Sequence, residues 1–221
     1  MIRLLTQMCS ITTILAVIPA AYSHPGRLNS DGGHFNRETG VYHCHSAECE
    51  DQQEVTLNSN TQTRRYKRSE WAHWIDEDRD CQNTRAEILV ARSTAPVLFS
   101  SSRKCRVVSG QWYGALTGKI LTDASDLDID HVIPLSYAHR NGGASWTSAK
   151  KQLFANDPEN LLPTYDVENR KKSDKGPSEY MPEDQTLSCE YGKKWIQVST
   201  KYSLRISEQD SRFLRDKLQA C

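Results

Sequence analysis

The sequence predicts an α+β fold, with short antiparallel strands and additional helices in one disulfide-stapled domain behind a small Gly/His-rich module. Three observations carry that prediction. Residues 126–133 alternate polar and apolar at period two, and residues 161–165 form a second extended apolar stretch, with a helical segment at 147–155 between them. Tyr191, Trp195, Val198 and Tyr202 recur at i, i+4, i+7 and i+11, the stripe of a packed helix. Six of the seven cysteines lie at residue 44 or beyond, an even set suited to disulfides.

Composition bounds the architecture further. A chain of 221 residues is one medium domain, or one domain plus an appendage. Only 37% of it is apolar, which makes a lean core and a use for covalent staples. No apolar run approaches the roughly 18 residues of a membrane span, so no spanning helix is expected. The 28 basic residues balance the 28 acidic ones, so contact with a polyanion must rest on local basic patches.

In chain order, residues 1–23 have a secretory layout: Arg3, the apolar run Ile11–Ile18, then Ala21 and Ser23 as the small residues before a cut at His24. Export discards Cys9 and leaves Cys44, Cys49, Cys81, Cys105, Cys189 and Cys221 for an oxidising compartment, periplasmic or extracellular. About fifteen pairings of six cysteines are formally possible. The preferred set is Cys81–Cys105, Cys189–Cys221 and Cys44–Cys49. Residues 24–49 form a Gly/His/Cys-rich module, 50–63 a polar linker, and 64–221 the main domain.

Within the main domain, Thr84-Arg-Ala-Glu87 has capping-box spacing and opens a helix through Ile88–Val90. Turn residues at 109–110 and 114–118 divide 107–120 into short antiparallel strands. Pro134 ends the strand at 126–133. Asp166 can cap a helix reaching Lys172, and Ser207 starts the last helix with Phe213, Leu214 and Leu218.

Chemistry concentrates at 126–175. Asp130 and His131 end an apolar strand, Asn160 follows about 30 residues later, and Asn169 lies on a first helical turn. These groups suit metal-assisted hydrolysis of a phosphodiester. Asp130 and the Asn169 amide oxygen are hard ligands fit for Mg²⁺ or Mn²⁺. His131 can accept a proton from water near neutral pH. Arg170, Lys171, Lys172 and Lys175 stand ready for phosphates, as does Arg85. The alternative is structural: Leu127, Ile129, His131 and Ile133 share one strand face, and in a regular strand Asp130 points away from His131. Both meet one ion only where the strand bulges or ends.

The longer string is more specific. Residues 125–135 (SDLDIDHVIPL), Ser145-Trp146, 154–157 (FAND), Asn160-Leu161, 169–172 (NRKK) and 174–177 (DKGP) resemble the exported HNH (His-Asn-His) endonucleases of the ββα-metal nuclease class. The resemblance takes in Trp74, Cys81, Thr84-Arg85, Cys189, Tyr191, Trp195 and Cys221, nearly all of 64–221. It implies a ββα-metal nuclease core cutting DNA, with RNA as the second candidate. His131 matches the general base, and Asn160 the loop-organising member of the catalytic pair. Asp130 and Asn169 match the metal ligands, with Asn169 standing where the literal pattern has His. No partner beyond nucleic acid is implied, and a monomer is expected.

Other clusters have weaker readings. Asp76, Asp78, Asp80 and Glu87 follow the spacing of an EF-hand calcium loop, but Cys81 stands at the glycine position and should hinder the turn. Arg64, Arg65, Lys67 and Arg68 surround Tyr66, equally a nucleic-acid contact or a solvated face. His34, His43 and His45 resemble a YHYH motif and form a candidate second metal site, so Ca²⁺ and Zn²⁺ are candidate structural ions. The rival to an endonuclease is a non-catalytic exported metal-binding or cell-envelope-binding protein.

Overall fold

The structure is a computed structural model that describes residues 65–221 and two short strands before them. Strands β1 (Gly33–Phe35) and β2 (Tyr42–Cys44) pair antiparallel with His34 opposite His43. The secretory segment, His45, the linker, the expected Cys44–Cys49 pair and the side chains of His34 and His43 lie outside the described residues.

The first helix, α1 (Thr84–Arg92), is capped one residue earlier than its capping-box spacing suggests: the Asn83 side chain accepts from the Ala86 N–H. Thr84 is diverted because its hydroxyl reaches the Ile75 carbonyl and Asn156 instead. Helix α1 buries Ala86, Ile88 and Leu89 against a three-stranded antiparallel sheet of β3 (Leu98–Phe99), β4 (Val107–Tyr113) and β5 (Ile120–Asp123). Trp112 is fully buried there, and its indole N–H donates to the Leu89 carbonyl at 2.8 Å. Disulfide Cys81–Cys105 joins the acidic loop before α1 to the loop before β4.

That acidic loop turns despite lacking glycine. Cys81 takes a left-handed backbone (φ 78°) and its N–H donates to the Asp76 carboxylate at 3.1 Å, contrary to the expected hindrance. Carboxylate oxygens of Asp76, Asp78 and Asp80 lie within 4.8 Å of one another, all exposed.

The second half holds β6 (Leu127–His131), α2 (Leu135–Arg140), α3 (Ser148–Asn156), β7 (Leu161–Tyr165), α4 (Asp166–Lys172), α5 (Gln185–Lys201) and α6 (Glu208–Gln219). Strands β6 and β7 pair antiparallel in unbroken register, from Leu127 opposite Tyr165 to His131 opposite Leu161. Helix α4 follows β7 directly and completes a strand–strand–helix unit. Its expected cap is not made by Asp166, which lies inside the first turn and pairs with Arg170 at 2.8 Å. Helix α2 carries no signal in the period-two pattern around it; Pro134 opens it rather than merely ending the strand, and Leu135, Tyr137 and Ala138 bury themselves.

Two apolar clusters meet at β6. Leu127 and Ile129 pack with α1 and the three-stranded sheet, whereas Val132 and Ile133 pack with Phe154, Tyr191, Trp195 and Leu214. The stripe Tyr191, Trp195, Val198 and Tyr202 is buried as its spacing requires, and Cys189–Cys221 ties α5 to the chain end after α6. No helix among the described residues is long and apolar enough to cross a membrane.

Candidate active site

The end of β6 is where the fold stops being regular. Beyond His131 the chain leaves the strand, and Asn160 fixes the segment that follows. Its carbonyl accepts the Val132 N–H, its side-chain oxygen accepts the Ile133 N–H at 2.9 Å, and its amide donates to the Phe154 carbonyl. Asn160 is wholly buried, with both ends of its side chain on backbone. Of the two partners open to it, backbone or imidazole, Asn160 takes backbone, a placement in keeping with a loop-organising position.

A cavity of about 380 Å³ opens at this point, lined by Asp130, His131, Asn169, Arg170, Tyr66 and Arg68, among others. Asp130 and His131, the last two residues of β6, both line this cavity, and the pairing with β7 runs unbroken to His131. The imidazole stacks on Trp74, ring centroids 5.9 Å apart at 27°. Its Nε2 lies 2.9 Å from the Ala155 carbonyl. A carbonyl only accepts, so Nε2 carries the proton and Nδ1 the lone pair. Burial, seconded by the charges of Lys172 and Arg68 and only partly opposed by the Ala155 carbonyl, pushes the His131 pKa down to about 3. The ring is therefore neutral at ordinary pH.

Asp130 is 5% exposed, and burial raises its carboxyl pKa despite the opposing ammonium of Lys172. Lys172 donates to Asp130 Oδ1 at 3.0 Å and to the His131 carbonyl at 2.9 Å. Asp130 Oδ2 is buried with no hydrogen-bond partner. Such an orphaned oxygen is costly unless something else completes it. Asn169 donates from Nδ2 to Asp128 at 2.9 Å, which leaves its Oδ1 as acceptor. Asp130 from β6 and Asn169 from α4 thus present oxygens to one cavity, with Asp128 bonded to Asn169 beside it, and oxygen donors of this kind suit a hard divalent ion.

Several expected phosphate contacts are placed otherwise. Lys172 does not stand on the outer face of α4 with its basic neighbours: three residues after Asn169, it shares the inward face and is fully buried. Arg170 is exposed at the cavity, paired with Asp166. Lys175 turns back onto the Lys171 carbonyl. Arg85 lines a neighbouring cavity, with its guanidinium on the carbonyls of Ala124 and Leu127. Asp128, which period two puts on the face of Asp130, joins the site through its bond to Asn169, a contact that spacing alone does not reveal. Arg68 stood in a basic run whose reading was open, and nothing in its spacing marked it as cavity-facing.

Residues 86–217 match the family model described as GmrSD restriction endonucleases, C-terminal domain. A protein of Arthroderma benhamiae described as an uncharacterized secreted protein is 39% identical over 158 residues, covering 71% of this chain and 76% of the relative. No solved structure matches. The family match leaves residues 24–49 outside it, so the YHYH resemblance gains no support there. With more than half its length matched, the chain belongs to the family of GmrSD restriction endonuclease C-terminal domains, an HNH-type nuclease family.

Proposed function

We propose that the protein is an exported, metal-dependent endonuclease that hydrolyses phosphodiester bonds of DNA, with RNA as the second candidate substrate. The observation that carries this reading is the buried, partnerless Asp130 Oδ2 in the cavity that His131 and Asn169 also line. Asp130 and Asn169, with Asp128 alongside, would hold Mg²⁺ or Mn²⁺. Bound there, a divalent ion supplies positive charge that acidifies water and stabilises the phosphorane.

The chain's own groups divide the remaining work. His131 Nδ1 takes a proton from the attacking water as the water oxygen bonds to phosphorus. The bond from phosphorus to the leaving oxygen breaks, and that oxygen takes a proton from solvent. A base held at so low a pKa is always available but weak, which is why its water must be made more acidic. Asn160 holds the turn behind the imidazole, and Lys172 fixes Asp130 against the end of β6. Arg68 and Arg170 set positive charge at the cavity for the non-bridging oxygens.

Export is supported by the secretory layout of residues 1–23, by disulfides Cys81–Cys105 and Cys189–Cys221, and by a relative described as secreted. The test is incubation of the mature protein with supercoiled plasmid and with RNA, in Mg²⁺, Mn²⁺ or EDTA. Degradation is expected with either ion and none in EDTA. H131A should lower the rate by about 100- to 10,000-fold while its circular dichroism is retained. Full activity of H131A, or in EDTA, refutes the assignment.

A further inference from the structure

We propose that the cleft between Arg85 and Arg106 binds a backbone phosphate of the nucleic-acid strand beside the one being cut. The proposal rests on the nuclease reading for its ligand and extends it to a second cavity, of about 570 Å³. Arg85 enters from the first turn of α1 and Arg106 from the segment leading into β4. Disulfide Cys81–Cys105 fastens these two walls together, one residue from Arg106.

Arg85 is half-buried and built in. One nitrogen, Nη2, donates to the carbonyls of Ala124 at 3.0 Å and Leu127 at 2.8 Å, which fixes the guanidinium and leaves its other donors for a ligand. Neither Arg85 nor Arg106 forms a salt bridge among the described residues. Burial weakens the hold of Arg85 on its proton; the Asp128 charge opposes this, and the smaller effect of the Arg106 charge adds to it. Arg106 repels Arg85 across the cleft, Asp128 offsets that on the Arg85 side, and the exposed Arg106 with the free donors of Arg85 can share a bound anion.

Both acids lining the cleft have hydrogen-bond donors of their own, and Asp128 also faces Arg85. Asp123 accepts from the Ser125 N–H and hydroxyl, and Asp128 accepts from Asn169. That last bond joins the cleft to the cavity of His131. Asp128 and Asp130 stand two residues apart on β6, about 7 Å, so a strand whose phosphate occupies one cavity passes the other.

The experiment reads binding of a fluorescent single-stranded oligonucleotide by anisotropy in EDTA, across a salt series. R106A alters an exposed side chain, and circular dichroism verifies its fold. It should bind about tenfold more weakly and flatten the dependence of log affinity on log salt by about one unit. R106K should restore the slope more fully than the affinity, since lysine lacks the planar fork. R215A, remote in sequence on exposed α6 surface, should match wild type. Wild-type affinity and slope in R106A, or an equal loss in R215A, overturns the proposal. Plasmid cleavage by wild type in Mg²⁺ separates the two readings: no cleavage alongside the R106A defect removes the nuclease assignment and leaves the phosphate cleft standing.

Discussion

Replacing Lys172 by methionine tests the arrangement at its most buried point. The lysine side chain is 0% exposed and makes two short contacts, 3.0 Å to Asp130 Oδ1 and 2.9 Å to the His131 carbonyl. Methionine fills much of the same volume but leaves a buried carboxylate with neither oxygen satisfied. Breaking a buried pair from one side costs about 3–5 kcal/mol. For a domain of this size that is a fall in Tm of about 6–20 °C. The loss should depend on pH. Burial sets the folded pKa of Asp130 above its unfolded value, so stability contributed by the protonated form is lost as pH rises through the folded value. Without the ammonium that value climbs further, and the deficit of K172M should widen from pH 5 to pH 8. Removing both charges in D130N/K172M should recover part of the loss, because neither buried group is then ionic. Urea unfolding followed by tryptophan fluorescence, in EDTA with disulfides intact, gives the numbers. A K172M protein within about 0.5 kcal/mol of wild type at pH 8 would show that Lys172 is not the partner of Asp130, and the account of the site would fail with it.

Asn160→Ala strips partners from the buried Ile133 N–H and Phe154 carbonyl, and should cost about 2–4 kcal/mol by urea titration, with loss of plasmid cleavage at temperatures where the fold persists. Asp210 accepts from the hydroxyls of Tyr137, Ser178 and Ser207 and from the Ser178 N–H; these bonds overcome its burial and hold its pKa below the ordinary carboxylate value. Its contribution is therefore complete above about pH 4 and lost as pH falls through the lower folded value. D210N should be less stable than wild type by about 2 kcal/mol at pH 7, and a gap that fails to narrow under acid would contradict this.

Local signals proved readable where one interaction dominates. The stripe on α5 needs only helical periodicity and burial, and β6 and β7 need only alternation and apolar content. Disulfides Cys81–Cys105 and Cys189–Cys221 form as preferred. The caps of α1 and α4 were less legible because a threonine or aspartate near a helix start has several partners, and tertiary contacts choose among them. Thr84 is claimed by Ile75 and Asn156, the latter 72 residues away, a contact no local window contains.

The same distinction explains the site. Sequence spacing could name Asp130, His131 and Asn169 but could not say that neighbours on a strand share a cavity. Their common cavity lies beside the segment that Asn160 holds after β6, and Lys172 reaches from α4 to Asp130 and to the His131 carbonyl. A lysine following Asn169 in a basic run reads as surface charge, and only the packing of α4 on β6 shows that position 172 faces inward. Burial then gives two basic residues, two positions apart on one helix, different employments. Arg170 at the rim can meet substrate, whereas Lys172 beneath it neutralises a carboxylate that would otherwise be too costly to keep ionised. The basic character of the helix is thus divided between the phosphate contact proposed for Arg170 and the burial of a cation that preserves the acidic ligand the proposed chemistry needs.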